Sequence, residues 1–250
     1  MKILDLVPIT VDVWTPESGA YIRQHLHRDT EVVTRRLVHG PASIEGEYDE
    51  VLAGPEIVAM CGEAEKEGFD AVFVDCFGDP AVRAARECCD IPILGGFEPA
   101  LYYSLGLADK IGIVTVLPHV VSMLDGLIAK NHLEGRVVSL RHVNIAVLDL
   151  HSIDPLVAAV VKQARKAVEA DGAGAVVLGC TAIVGVAEAV GERLANEGLS
   201  VPVIEAAQAA LMLLETHVRM GWRHSRRTYL PPRAKDRTWW PGDGAEPMQA

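Results

Sequence analysis

The amino-acid sequence predicts an α/β protein built as two pseudosymmetric parallel-sheet lobes that face each other across a cleft. Three observations lead there. Apolar strand-like runs alternate with helical stretches along the chain, which is the pattern of parallel βαβ units. The order strand, Cys, helix, x-Pro, strand, x-Glu occurs twice, as Ala71…Cys76…Pro92…Glu98 and as Ala175…Cys180…Pro202…Glu205. Finally, the 250 residues are 50% hydrophobic and 23% charged, enough for a self-sufficient core without metals or disulfides.

Lys2 to Val7 reads as a buried strand, and Glu31 to Val38, alternating polar with β-branched residues, as a second. Glu56 to Glu67 carries helical spacing and stops at Gly68. Ala71-Val72-Phe73-Val74 is a third strand ending at Asp75-Cys76; a helix from Pro80 to about Cys89 and a short strand at Ile91-Pro92-Ile93-Leu94 complete the first half. Lys110 to Val116 then resembles the opening strand, including its leading lysine. A helix from about Val120 to Asn131, a strand within Arg136 to Leu148 and a strongly amphipathic helix from Pro155 to Ala170 follow. Ala175 to Leu178 runs into Gly179-Cys180, then come a helix and the strand Val201 to Ile204. We divide the chain into residues 1–97 with about 206–232 as one lobe, 98–205 as the other, and 233–250 as a tail. The tail is expected to fray from Pro241, and Arg223, Arg226 and Arg227 before it read as a solvated or subunit-contacting surface.

Composition excludes several classes of function. A net charge of −11 and only 5% aromatic residues argue against a nucleic-acid surface or base-stacking platforms. Asp5 and Pro8 interrupt the first apolar run too early for a signal peptide, and no apolar stretch is long enough to span a bilayer. Five cysteines, odd in number and without zinc spacing, fit free thiols in a reducing cytoplasm. Neither G-x-x-x-x-G-K-[ST] nor G-x-G-x-x-G is present, which argues against phosphate- or dinucleotide-driven chemistry.

In open α/β sheets, ligands bind beyond the carboxyl ends of the strands. One cysteine ends the equivalent strand in each half, so facing lobes direct Cys76 and Cys180 into one shared cleft. Asp79-Pro80 reads as an N-cap with proline at N1, and Thr181 as the matching cap, which puts each thiol just before a helix N-terminus. Such a place favours a thiolate and supplies backbone donors for a carbonyl oxygen. A lone strand-end cysteine is as often a buried small hydrophobe; two in repeat-equivalent places point to function. Cys61 and the adjacent Cys88-Cys89 read as packing residues, and Glu98 and Glu205 as helix caps. His25-x-His27 lacks further metal ligands and reads as a surface helix, while His119 and His151 follow apparent strand ends near the cleft rim.

The paired cysteines, with Gly179-Cys180-Thr181, resemble the aspartate/glutamate/hydantoin racemase superfamily. Gly40-Pro41-Ala42-Ser43-Ile44-Glu45 with Tyr48-Asp49, Gly68-Phe69-Asp70-Ala71, Cys76-Phe77-Gly78-Asp79-Pro80 and the late Ser225…Tyr229…Pro231-Pro232…Lys235 are similar to its hydantoin and allantoin racemase branch. Two loops depart from that pattern. Val7-Pro8-Ile9-Thr10 stands where an Asn-Pro-Asn type loop is common, and Val116 follows Thr115 where paired threonines often occur. The resemblance implies a cofactor-independent, metal-free racemase of 5-monosubstituted hydantoins or allantoin that forms a homo-oligomer. One thiolate removes a proton, and the opposite thiol protonates the other face. It implies Cys76 and Cys180 as catalytic residues and Phe77, Gly78, Asp79, Thr181, Ala182, Thr115, Pro8 and Ile9 as substrate contacts. The rivals are an aspartate- or glutamate-type racemase or a decarboxylase on the same scaffold and, from another class, a non-catalytic small-molecule binder.

Overall fold

The structure, a computed structural model, describes residues 1–12, 16–150 and 152–236. Its first half runs β1 (Lys2–Val7), α1 (Pro16–Arg23), β2 (Glu31–Arg36), α2 (Glu47–Lys66), β3 (Ala71–Val74), α3 (Val82–Cys88), β4 (Ile93–Leu94) and α4 (Phe97–Leu105). The second runs β5 (Ile111–Thr115), α5 (Pro118–Lys130), β6 (Val137–His142), a 3-10 turn (Val147–Asp149), α6 (Ile153–Glu169), β7 (Ala175–Leu178), α7 (Ala187–Asn196), β8 (Val203–Glu205) and α8 (Ala206–Met220). Each half forms a four-stranded parallel sheet, ordered β2-β1-β3-β4 and β6-β5-β7-β8. The two orders correspond strand for strand, so the sequence repeat is also a repeat of topology.

The central strands are buried on both faces, as parallel sheets covered by helices require. Ile3, Leu4 and Leu6 of β1 and Ile111, Ile113 and Val114 of β5 are fully buried. The helices that end the two halves are exchanged between the cores. In α4, Phe97, Ala100 and Leu101 pack among the β5 and β7 side chains. Ala207, Ala210, Leu211 and Leu214 of α8 pack on Ile3, Ala71, Phe73 and Leu94 of the first sheet.

Several local expectations are corrected. Helix α2 begins at Glu47, not Glu56, and runs through Pro55. Three carboxylates in its first turn favour that start, and buried Ala53 and Ile57 anchor the chain on either side of the proline. Glu56 accepts the N–H groups of Val38 and His39 at 2.8 and 2.7 Å, tying the same region to the loop after β2. Helix α3 starts at Val82, because Asp79 and Ala81 take left-handed backbone, with φ 53 and 54°. Gly68 does end α2, with φ +83°, the conformation a helix C-terminus most readily gives to glycine.

His25 and His27 lie beyond the end of α1 rather than on a helix, and His27 Nδ1 meets Asp29 Oδ1 at 2.6 Å. At the end of α3, Cys89 is buried but Cys88 is exposed, so only the former packs. Arg226 is pinned rather than solvated, donating to Asp90 at 2.7 Å and to the Arg86 carbonyl at 3.0 Å. His151 and the tail from residue 237, with its expected fraying, lie outside the described residues.

Candidate active site

Both strand ends are built alike. The Asp75 N–H donates to the Leu6 carbonyl at 2.8 Å, and the Gly179 N–H donates to the Val114 carbonyl at 2.8 Å, extending each ladder by one residue. The next residue is Cys76 in one lobe and Cys180 in the other. The Cys76 carbonyl accepts Gly96 N–H at 3.0 Å, and the Cys180 carbonyl accepts Ile183 N–H at 3.1 Å. The lobes are tied together here. Thr181 Oγ1 donates to the Asp75 carbonyl at 3.1 Å, and Val147 N–H donates across the cleft to Glu45 at 2.9 Å.

Between them lies a cleft of about 570 Å³, including its open mouth. Both cysteines line it, with Pro8, Ile9, Phe77, Gly78, Thr181 and Ala182. The rest of the wall is mostly apolar: Val7, Ile44, Val116, Val120, Met123 and Val147. Val7 and Val116 belong to the two loops expected at the cleft, whereas sequence reasoning missed Ile44, Val120, Met123 and Val147 because no chemistry marks them. Asp75, also in the wall, was passed over as a strand terminus.

Two expected contacts lie elsewhere. Asp79 turns away and accepts the Phe97 and Glu98 N–H groups at 2.9 and 3.4 Å, capping α4 rather than the helix that follows it. The left-handed backbone at Asp79 aims its carboxylate there. Thr115 is buried and donates to the Gly179 carbonyl at 2.7 Å, so it fixes the strand end beneath Cys180. Thr181 does line the cleft but caps no helix, since α7 starts only at Ala187. The α7 terminus is served by Glu205, which accepts Val186 and Ala187 N–H at 3.0 and 2.9 Å. Glu98 pairs with Arg86 at 2.7 Å instead of capping. His119 is exposed, and no His, Cys, Asp and Glu cluster able to hold a metal occurs among the described residues.

Burial pushes both thiols up. Cys76 lies well above its ordinary value, raised further by the Glu50 charge and lowered by the Gly78 N–H. Cys180 is pushed up to about 12 by burial, an effect opposed by the N–H groups of Ala182 and Ile183 and reinforced by Asp75 and Glu45. Each sulfur thus has backbone donors that favour a thiolate, set in an apolar site that favours a thiol. Glu50, half-buried against Gly78, is raised to about 7 by burial and by Glu47. A Cβ on Gly78 would collide with its carboxyl oxygen, so glycine lets that acid approach the Cys76 loop.

Solved structures of the same form exist. The chain superposes on an allantoin racemase from Pseudomonas fluorescens with a TM-score of 0.88, 28% identity, and coverage of 96% of this chain and 100% of that one. An allantoin racemase from Klebsiella pneumoniae gives 0.87 and 28%, over 95% and 96% of the two chains. Fold and cleft therefore define a two-lobed α/β racemase, an isomerase. The family described as Asp/Glu/hydantoin racemase matches residues 11–214, and a hydantoin racemase from a Pseudomonas species is 34% identical over 239 residues, 94% of each chain. The chain belongs to the Asp/Glu/hydantoin racemase family.

Proposed function

We propose that the chain racemises 5-monosubstituted hydantoins or allantoin, with Cys76 and Cys180 as the two acid/base groups and no cofactor. The observation that carries this reading is that the two thiols come from equivalent strand ends, in opposite lobes, into one largely apolar cleft. Inversion at a carbon beside a carbonyl needs a base on one face and an acid on the other. The thiolate takes the proton: the C–H bond breaks, an S–H bond forms, and the electron pair delocalises onto the ring carbonyl. The opposite thiol then gives its proton to the other face and becomes the thiolate for the reverse direction.

The wall supports a neutral ring over a free amino acid. Aspartate or glutamate brings carboxylates, whereas the ionisable side chains at the cleft, besides the two thiols, are the acids Asp75, Glu45 and Glu50. Among the described residues of the wall there is no lysine or arginine. The hydantoin and allantoin racemases similar to this chain support the same substrate class. The reading takes the enzyme as a cytoplasmic homo-oligomer. It keeps residues 1–97 with about 206–232 as one lobe and 98–205 as the other, which the packing of α8 on the first sheet supports.

Proton NMR in deuterated water, against hydantoins, allantoin and acidic amino acids, tests it directly. Loss of the proton signal at the stereogenic carbon of a cyclic ureide, undiminished by exhaustive chelation and removal of pyridoxal phosphate, is expected. Exchange into glutamate but into no ureide overturns the substrate class.

A further inference from the structure

Helix α2 presents one buried stripe to the first core. Ala53, Ile57, Cys61 and Ala64, all fully buried, recur at the three- and four-residue steps of one helix face. Glu50 stands one step earlier on the same stripe, where an apolar side chain would continue the pattern. The corresponding helix of the second lobe keeps that pattern, since the α6 stripe of Leu156, Val160, Ala164 and Ala167 opens on a buried leucine. The first lobe therefore carries a carboxyl where the second carries a hydrocarbon.

That carboxyl is held against the Cys76 loop. Its Oε1 is buried, has no hydrogen-bond partner among the described residues, and lies where a Cβ on Gly78 would collide with it. The Gly78 N–H in turn donates to the Cys76 sulfur. Two charged groups act on Glu50: Glu47 of its own helix opposes its anion, and Lys130 at the end of α5 favours it. Glu50 ionises at about 7, so above that pH a carboxylate faces Cys76 across Gly78.

The two thiols consequently differ in their surroundings. Burial raises both, and a charge on Cys180 raises Cys76 further, so the pair does not ionise twice. After burial, the strongest influence on Cys76 is the Glu50 charge; the Gly78 N–H opposes it, while Cys180 and Asp79 add to it. On Cys180 the strongest influence after burial is a donor, the Ala182 N–H, joined by that of Ile183 and opposed by Asp75 and Glu45. Those two acids are weak opponents. Burial and the Asp5 charge hold Asp75 well above the usual carboxylate range, so it is uncharged near neutral pH. Glu45 acts least of all these groups.

We propose that Glu50 is a positioning residue for the thiol pair: its carboxylate, seated against Gly78, keeps the proton on Cys76, so that the thiolate forms on Cys180. The consequence for catalysis rests on the proposed racemisation; the order of ionisation does not. The resting enzyme is set to take the proton that faces Cys180. The form with its thiolate on Cys76 arises from turnover, once Cys180 has gained the substrate proton and Cys76 has given its own to the carbanion.

Thiol modification tests this without a substrate, because only the thiolate reacts. Modification of Cys76 by methyl methanethiosulfonate is followed in Cys180→Ser enzyme, and that of Cys180 in Cys76→Ser enzyme, by mass spectrometry of the peptide concerned. Each is measured with Glu50 and with Glu50→Gln, an isosteric neutral side chain. At pH 8.5 Glu50→Gln is expected to raise the Cys76 rate about tenfold, the effect of one pH unit of ionisation, and to leave the Cys180 rate within about twofold. At pH 5.5 Glu50 is already neutral, and the two Cys76 rates should agree within about twofold. Glu50→Leu, which gives α2 the side chain α6 carries, should act alike and serves if the glutamine variant does not fold. An unchanged Cys76 rate at pH 8.5 overturns the proposal. So does an acceleration that persists at pH 5.5, which marks altered access to the sulfur, or an equal acceleration of Cys180. Deuterium exchange joins the result to the reaction: at pH 8.5 Glu50→Gln should speed exchange of a cyclic ureide several-fold in Cys180→Ser enzyme and leave it unchanged in Cys76→Ser enzyme. If Cys76 modification accelerates but wild type exchanges no ureide, the proposed racemisation falls and the role of Glu50 stands. If ureides exchange while modification ignores Glu50, the racemisation stands and the role of Glu50 falls.

Discussion

Replacing either Cys76 or Cys180 by Ser is expected to abolish racemisation, because a hydroxyl is far too weak an acid to serve either face. Deuterium exchange separates the two variants. Each surviving thiolate still exchanges the proton of the one enantiomer that presents it, without inversion, so the two should prefer opposite enantiomers. Cys61, fully buried among α2 and β3 side chains, serves as the control, and Cys61→Ser should keep near-wild-type turnover per folded molecule. Wild-type racemisation in a folded Cys76→Ser or Cys180→Ser enzyme would falsify the two-base mechanism. At this scale the sequence was legible wherever a place in the cleft follows from position in the repeat. Cys76 and Cys180 end equivalent strands, and Pro8, Ile9, Phe77, Gly78, Thr181 and Ala182 follow the strand ends that frame the cleft. Asp5 and Asp75 were not, because a charge inside an apolar strand gains meaning only when its partner, 70 residues away, is seen beside it.

Caps show the same limit at the scale of elements. Ser, Thr or Asp before a helical stretch reads as the cap of that stretch, yet Asp79 caps α4 and Glu205 caps α7 from across each sheet end. Strands β3 and β7 were legible to the residue, since a short unbroken apolar run needs no distant partner to be read. Two tests belong here. Asp79→Ala leaves two N–H groups of α4 without their acceptor and should cost about 1–2 kcal/mol in urea unfolding. Asp79 is raised to about 7 by burial first and by the Glu98 charge second. A carboxyl whose folded value exceeds its unfolded one binds its proton more tightly when folded. Its contribution is therefore complete below the unfolded value of 3.8 and is lost as pH rises through about 7. The urea midpoint of wild type should fall over that window more steeply than that of Asp79→Asn, and equal slopes would show that Asp79 does not titrate there. Gly96 offers a purely steric test, since a Cβ there lies 2.8 Å from Thr181 Cγ2 and 3.2 Å from the Cys76 carbonyl. Gly96→Ala is expected to force the two cysteine loops apart, costing about 1–3 kcal/mol and lowering kcat more than it raises KM.

For the molecule as a whole, the exchange of α4 and α8 sets how the lobes unfold. Helix α8 has Ala207, Ala210, Leu211 and Leu214 in the first lobe, while its Ala206 and Ala209 share a cluster with Phe97, Ala100 and Leu101 of α4 in the second. Neither sheet keeps its cover if the other core opens, so the cleft cannot be dismantled one wall at a time. That coupling also bears on the proposed two-thiol chemistry: two thiols in different sheets hold a fixed separation only if the sheets are mechanically one body. Leu211→Ala tests this at a residue remote from the cleft. Leu211 is fully buried on the first sheet, and its truncation should cost about 2–5 kcal/mol. If the lobes are interlocked, hydrogen exchange in Leu211→Ala should rise together in β1 and β3 and in β5 and β7, and urea unfolding should remain a single transition. Independent lobes would instead give two transitions, with faster exchange confined to β1 and β3 and full protection kept in β5 and β7. That outcome would remove the mechanical link between the cores and leave Thr181 to Asp75 and Val147 to Glu45 as the bonds that hold the cleft together.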